Sequence, residues 1–349
     1  MQKRVCKNGG LELSVLGLGC WSFGGGDYWG ERSQKEVETI VKTSIDLGIN
    51  YFDTAELYNE GRSEESLGQA LKGVPREQVI VGSKISPANC QPDVLVKHCE
   101  ASLQRLQMDY IDLYMIHWPI HPYSIASFTN DEDRIKNPPE IAAVFAALLQ
   151  LREAGKIRHI GVSNFGVPKL EELPTLEHIT ANQLPYSLLS RAIEFDVLGH
   201  CQQNGIGTIG YMGLMQGLLA DKYPTFDDIP PNRRRTRHFA DDRTAACRHG
   251  EPGFEAETRQ ALAAIRKISK EAGIPMADLA FKWVVANQLM TCNLFGVSTA
   301  QQVRANVEAI EEPLAPDLVE ALNEATQPLK QALGNHIDLF EGAANDRTI

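Results

Sequence analysis

Short apolar runs alternate with longer amphipathic stretches from one end of this chain to the other, and no other feature restricts its fold as much. The runs are SVLGLG (14–19), INYFD (49–53), VIVGSK (79–84), YIDLYMIH (110–117), IRHIGVS (157–163), ITANQLP (179–185), IGTIGYM (206–212) and CNLFGV (292–297). Between them lie helical patterns such as SQKEVETIVKTSIDLG, SEESLGQALK, PDVLVKHCEASLQRLQ and PPEIAAVFAALLQLREAG. Ser33 opens and Gly48 closes the first, Pro92 sits at the start of the third, and Gly155 ends the fourth. Polar or proline starts and glycine stops are the ordinary punctuation of helices. Strands spaced by a helix each predict βαβ crossovers and a parallel sheet. Eight such units predict a closed (β/α)8 TIM barrel. A doubly wound sheet is the competitor, but its G-x-G-x-x-G turn fails here: after Gly17 and Gly19, Ser22 holds the third position.

The 349 residues read as one barrel domain over 1–349, with a C-terminal helix (APDLVEALNEAT) and a loose tail over 313–349 belonging to it. Two long polar connections break the rhythm, residues 119–137 after the fourth run and 220–253 after the seventh. Both leave the carboxyl end of a strand, the face on which barrels keep their sites, so they read as binding loops.

Composition removes several classes of function. A net charge of −11 and a pI near 5.4 leave no basic surface for nucleic acid. The one basic run, RRRTRHF (233–239), reads either as a solvated loop or as an anion contact. The amino terminus MQKRVCKNGG lacks a leader's apolar core and no run of eighteen apolar residues occurs, so a soluble cytoplasmic protein without membrane contact is expected. Seven scattered cysteines without a C-x-x-C pair or zinc spacing read as reduced thiols, with no metal. A monomer and a homo-oligomer are equally compatible with this surface.

In a parallel barrel the strand ends converge. Asp53, Lys84 and His117 end the second, third and fourth runs, and Tyr58 follows five residues after Asp53. Taken singly, Asp53 reads as a turn or helix cap, Lys84 as a snorkelling side chain, His117 as a structural histidine and Tyr58 as packing. Their conjunction on adjacent strands points to chemistry. A phenol with an ordinary pKa near ~10 can donate a proton at neutral pH, and an ammonium beside it stabilises the phenolate and lowers that pKa. A carboxylate keeps the buried ammonium charged.

The segments FDTAELYNEGRSEESLGQAL, GSKI, IHWP, GVSNF and NQLPYS, in this order, resemble the aldo-keto reductases from about residue 11 to about residue 310. The resemblance implies a (β/α)8 barrel that binds NADP, or NAD, without a Rossmann domain and transfers hydride between it and a carbonyl or alcohol. It implies Tyr58 as general acid/base, Lys84 and Asp53 as its electrostatic partners and His117 as the residue orienting the substrate oxygen. Ser163, Asn164 and Gln183 would hold the nicotinamide carboxamide, with Tyr211 stacked on its ring. Gly213, Leu214, Gly217 and Leu219 would pass along the pyrophosphate, and Gly296, Ser298, Gln302 and Asn306 would take the adenosine end. Where relatives that prefer NADP commonly place a basic residue, this chain has Val297-Ser298-Thr299, with Arg304 nearby.

The small-molecule carbonyl or alcohol substrate, an aldehyde, ketone or sugar, would be walled by Trp21, Tyr28, Trp29 and Trp118. A Schiff-base barrel aldolase on Lys84, and a nucleotide-sensing regulatory subunit of the same fold, are the competing readings.

Overall fold

The computed structural model describes residues 1–26 and 28–349. The chain opens with an antiparallel hairpin, β1 (Lys3–Cys6) and β2 (Leu11–Ser14), turned through Asn8–Gly10 with Gly9 at φ 81°. The barrel strands follow: β3 (Leu16–Gly19), β4 (Tyr51–Asp53), β5 (Ile80–Ile85), β6 (Ile111–Ile116), β7 (Ile157–Ser163), β8 (Ile179–Pro185), β9 (Gly207–Tyr211) and β10 (Cys292–Phe295). They pair in parallel in chain order and close through β10 against β3.

Around the barrel run α1 (Gln34–Asp46), α2 (Arg62–Ala70), α3 (Pro92–Leu106), α4 (Pro122–Ala126), α5 (Glu132–Lys136), α6 (Ile141–Glu153), α7 (Val167–Glu171), α8 (Val197–Gln203), α9 (Glu255–Ala272), α10 (Met276–Ala286), α11 (Ala300–Ala309) and α12 (Pro316–Leu333). Ser33 caps α1 in a reciprocal box with Glu36, the start that its position predicts.

Three expectations need correction. The run 14–19 is two elements: Ser14 ends the hairpin and β3 begins at Leu16. The hairpin escapes the sequence because each arm is four residues long, too short for a period, although Asn8-Gly9-Gly10 is a turn signal. It plugs the amino-terminal end of the barrel, where Cys6, Leu11 and Leu13 meet Tyr51, Leu113, Met115, Ala181, Ile209, Cys292 and Leu294 inside the strands.

The long connections are also not structureless. Residues 119–137 hold α4 and α5, and 220–253 is drawn into short turns clipped by Arg243, which donates to Asp227 at 2.8 Å and Glu255 at 2.6 Å.

Nor is the tail loose. Arg347 forks onto Asp338 at 2.7 and 2.9 Å, both buried, and the Thr348 carbonyl accepts from Gly166 N–H at 2.8 Å. Arg347 and Asp338 pair within the tail, but Gly166 and Thr348 meet only across the fold, so local sequence carries little sign of this order.

Two positions make stability predictions. A Cβ on Gly68 of α2 would overlap the Leu106 carbonyl of α3, and backbone cannot move aside as a side chain can. Gly68→Ala is expected to cost about 1–3 kcal/mol, read as a lower urea midpoint at unchanged m-value.

His238 is fully buried; its Nε2–H donates to the Leu189 carbonyl at 2.7 Å and Nδ1 accepts from the Thr236 hydroxyl at 3.2 Å. Burial pushes its pKa down to about 4 from 6.5. Below 6.5 the unfolded chain therefore binds a proton that the native state refuses, and stability is lost as pH falls from 6.5 toward 4. The expected slope is about 1.4 kcal/mol per pH unit from this group. Urea titrations at pH 7, 6 and 5 check it, with a shallower decline in His238→Gln.

Candidate active site

The strand ends deliver Asp53, Lys84 and His117 to the carboxyl face of the barrel as neighbours, because β4, β5 and β6 are adjacent. Lys84 is wholly enclosed, and its ammonium spends its three protons on Asp53 Oδ2 at 2.7 Å, the Thr54 carbonyl at 2.8 Å and the Tyr58 hydroxyl at 3.2 Å. The other carboxylate oxygen of Asp53 accepts from Tyr51 at 3.1 Å and from Gln183 Nε2 at 2.8 Å. Asp53 thus links the cation to the amide on β8 across the barrel.

Tyr58 arrives by a strained turn. Asn59, Glu60 and Gly61 take φ values of 51°, 58° and 86°, a left-handed stretch that only glycine enters freely. The Asn59 amide compensates by donating to the carbonyls of Trp21 and Phe23, both at 2.8 Å, which ties this turn to the loop after β3. Glu56, buried beside it, accepts from Ser86 N–H at 2.9 Å, Asn89 at 2.8 Å and His98 at 2.7 Å. The residues after Asp53 are therefore an anchored loop rather than a helix start. Neither anchor follows from the local pattern, although an Asn two residues before a Gly is turn chemistry that the sequence displays.

Burial raises the Tyr58 pKa; Lys84 draws it down and Asp53 raises it further, and the balance stays above the ordinary 10. The lowering expected from the ammonium alone does not prevail, because enclosing the phenol outweighs it. Burial also opposes the charge on Lys84, but Asp53 and Tyr58 hold its pKa above the ordinary lysine value. A Schiff base requires a neutral amine, so this lysine is poorly set for aldolase chemistry. His117 is driven well below 6.5 by burial, with Lys84 and Arg347 adding to it, and its Nδ1 is buried without a partner among the described residues. The imidazole is neutral at pH 7.

Asn164 follows β7 at φ 64°, donating to the His117 carbonyl at 3.1 Å and Ser163 Oγ at 3.0 Å while accepting from the Tyr211 hydroxyl at 2.6 Å. Ser163, Asn164, Gln183 and Tyr211 thus form one polar floor with Asp53. Gly213 and Gly296 have open backbone, since an added Cβ at either meets nothing within 4 Å. Gly217 is left-handed at φ 104°, Leu214 is half-buried, and the Leu219 side chain lies in the core. Ser298 is exposed and Asn306 half-buried on α11. Gln302 does not project freely: its carbonyl oxygen caps α11 by accepting from Ser298 N–H at 2.7 Å and Thr299 N–H at 3.2 Å.

Trp21 stacks on Tyr28 at 5.2 Å, meets Trp29 edge-on at 5.2 Å and approaches Tyr58 at 5.7 Å. Trp118 is not part of that cluster. Its ring is covered by the Arg347 guanidinium at 3.9 Å, so the tail occupies the space its sequence position suggested for a ligand. Sequence offered no signal for Arg347, whose role depends on how residues 337–349 return to the barrel mouth.

A parallel barrel with a carboxylate, an ammonium, a phenol and an imidazole gathered at its strand ends is the arrangement of an enzyme that moves a proton at a substrate oxygen. The Aldo/keto reductase family model matches residues 15–327, and the chain belongs to the aldo/keto reductase family. The NADH-specific methylglyoxal reductase of Escherichia coli (strain K12) is 31% identical over 345 residues, which span 92% of this chain and 97% of that protein. The glycerol dehydrogenase AKR11B4 from Gluconobacter oxydans is similar in structure, with a TM-score of 0.73 at 26% identity over 96% of this chain and 97% of the other. An aldo/keto reductase from Klebsiella pneumoniae, solved in complex with NADP and acetate, has a TM-score of 0.70 at 25% identity, over 97% of this chain and 100% of the other. No helix among the described residues is long and apolar enough to cross a membrane.

Proposed function

We propose that this chain is a nicotinamide-dependent carbonyl reductase in which Tyr58 is the proton donor. The observation that carries the reading is the chain of contacts from Asp53 to Lys84 at 2.7 Å and from Lys84 to the Tyr58 hydroxyl at 3.2 Å. Tyr58 is protonated at neutral pH because burial raises its pKa, and it gives its proton to an oxygen that becomes alkoxide-like. The phenolate left behind faces the Lys84 ammonium, which Asp53 keeps charged and in place. His117, neutral and edge-on to Tyr58 at 5.7 Å, hydrogen-bonds the same oxygen and orients it.

The residues fit a bound nicotinamide dinucleotide, whose chemistry is to supply or accept hydride. Ser163, Asn164 and Gln183 provide amide and hydroxyl groups for its carboxamide, Tyr211 a flat face, and the open backbone at Gly213 and Gly296 a close approach for phosphate. A bound cofactor would take up the Asn164 and Gln183 hydrogen bonds now made within the floor.

The coenzyme in this reading is NADPH, with NADH the alternative. Arg32 donates to the Val297 carbonyl at 3.1 Å and Arg304 is exposed on the first turns of α11, so two cations flank Val297–Thr299. The relatives divide, one being NADH-specific by name and one solved with NADP. Tryptophan fluorescence titration with each coenzyme tests the reading. Tight binding of NADPH that Arg304→Ala weakens about tenfold, with NADH unaffected, is the expected result; one lost charge-assisted contact is worth about that much. Binding of neither coenzyme overturns the reductase reading. Cytoplasmic location remains part of this proposal, tested by fractionation, and light scattering decides between a monomer and a homo-oligomer.

A further inference from the structure

The wall between the catalytic tyrosine and the solvent holds donors that nothing accepts from. The Trp29 indole N–H and Nε of Arg235 are buried without a partner among the described residues, and the buried Tyr28 hydroxyl has only the Arg235 guanidinium beside it and no acceptor for its proton. An unpaired buried donor is costly, and a concentration of them beside a catalytic cluster is a place where a ligand brings acceptors. Arg235 is the third residue of the run 233–239, whose anion-contact reading the function so far leaves unused. Its guanidinium carbon lies 5.8 Å from the Tyr28 ring and 5.7 Å from the Phe340 ring, so it spans from the loop after β3 to the C-terminal tail.

The neighbouring arginines are spoken for. Arg233 donates to Tyr223 at 2.8 Å, Arg234 lies 4.0 Å from Asp227, Arg237 pairs with Glu251 at 2.7 Å, Arg248 with Glu341 at 2.8 Å and Arg347 with Asp338 at 2.7 Å. Arg235 instead lies against the Tyr28 and Phe340 rings, with no carboxylate paired to it among the described residues.

The aromatic wall leads from the chemistry to that cation. Tyr58 is 5.7 Å from Trp21 and Trp21 is stacked at 5.2 Å on Tyr28, which Arg235 overlies. These contacts set Tyr58, Trp21, Tyr28 and Arg235 in one row, so a ligand whose carbonyl oxygen sits at Tyr58 and which lies along that wall points its far end toward the guanidinium. We infer that Arg235 is a specificity-determining residue, and that the preferred substrate is an aldehyde or ketone bearing a carboxylate at the end remote from its carbonyl. The planar fork of arginine matches a carboxylate with two parallel hydrogen bonds, and Trp29 and Tyr28 supply further donors beside it. The inference rests on the carbonyl-reductase reading.

The test compares 4-carboxybenzaldehyde with 4-methylbenzaldehyde, molecules of nearly the same shape that differ in charge. The wild-type protein is expected to favour the carboxylate at least tenfold in kcat/KM, mostly through KM. Arg235→Met is expected to bring that ratio close to one, and Arg235→Lys to keep part of it, which guards against a misfolded methionine variant. Quenching of tryptophan fluorescence by each aldehyde gives the same ratio as Kd values without turnover. Equal handling of the two aldehydes by the wild type overturns the inference, and so does a ratio unchanged in both variants. A raised NADPH Kd in Arg235→Met with the aldehyde ratio intact assigns Arg235 to the coenzyme and overturns it equally. If neither aldehyde is reduced, the reductase reading fails, and the binding ratio still decides whether Arg235 selects a carboxylate.

Discussion

Tyr58→Phe is expected to lower kcat for carbonyl reduction by about 10²–10⁴-fold, the usual span for removing a positioned proton donor. Coenzyme Kd by fluorescence should change little, because the hydroxyl faces Lys84 at 3.2 Å and the ring keeps its contact with Trp21 at 5.7 Å. The structural cost is small for the same reason. Lys84 keeps two of its three partners, Asp53 and the Thr54 carbonyl, so its charge stays compensated. Single-turnover rates with saturating coenzyme separate the proton-transfer step from binding. Retention of more than a tenth of wild-type kcat would mean that another group donates the proton.

Lys84→Met carries the larger combined effect, on rate and on stability together. Removing the ammonium leaves Asp53, of which 2% is exposed, as a buried carboxylate without a counter-ion. Breaking a buried pair from one side costs about 3–5 kcal/mol, because the remaining charge is stranded in a medium that solvates it poorly. Lys84→Met should therefore unfold at markedly lower urea, and Asp53→Asn added to it should recover much of the loss. The rate loss should not recover in the double variant, since the phenolate formed by Tyr58 would still face no cation. A double-mutant cycle read in stability and in kcat thus separates the two roles. Equal midpoints for Lys84→Met and the double variant would show that Asp53 is stabilised by Tyr51 and Gln183 alone.

Arg347 extends the same argument to the tail. Its guanidinium covers Trp118 and its charge helps keep His117 neutral, while Asp338 holds it at 2.7 Å. From sequence Trp118 reads as one of four aromatic residues of the substrate wall. Distance along the chain could not show that a residue more than two hundred positions later would lie on that ring. Gln302 teaches the converse. The resemblance implies a ligand contact for it, and a glutamine three residues after a threonine also completes a capping box, which here takes its carbonyl and leaves its amide N–H groups for a ligand.

The barrel and the meeting of its chemical groups follow from local pattern alone. Period and punctuation assign eight parallel strands, and parallel closure in chain order obliges Asp53, Lys84 and His117 to share one face. That inference needs only the polarity of strands, which is local. Tertiary structure alone decided the plug made by β1 and β2, the anchoring of the Tyr58 turn by Asn59, the sense of the Tyr58 pKa shift and the return of the tail. Each of these depends on what surrounds a group after the chain has folded. Desolvation scales with total enclosure, and a hydrogen bond between residues as far apart as Asp53 and Gln183 leaves no trace in either neighbourhood of the sequence.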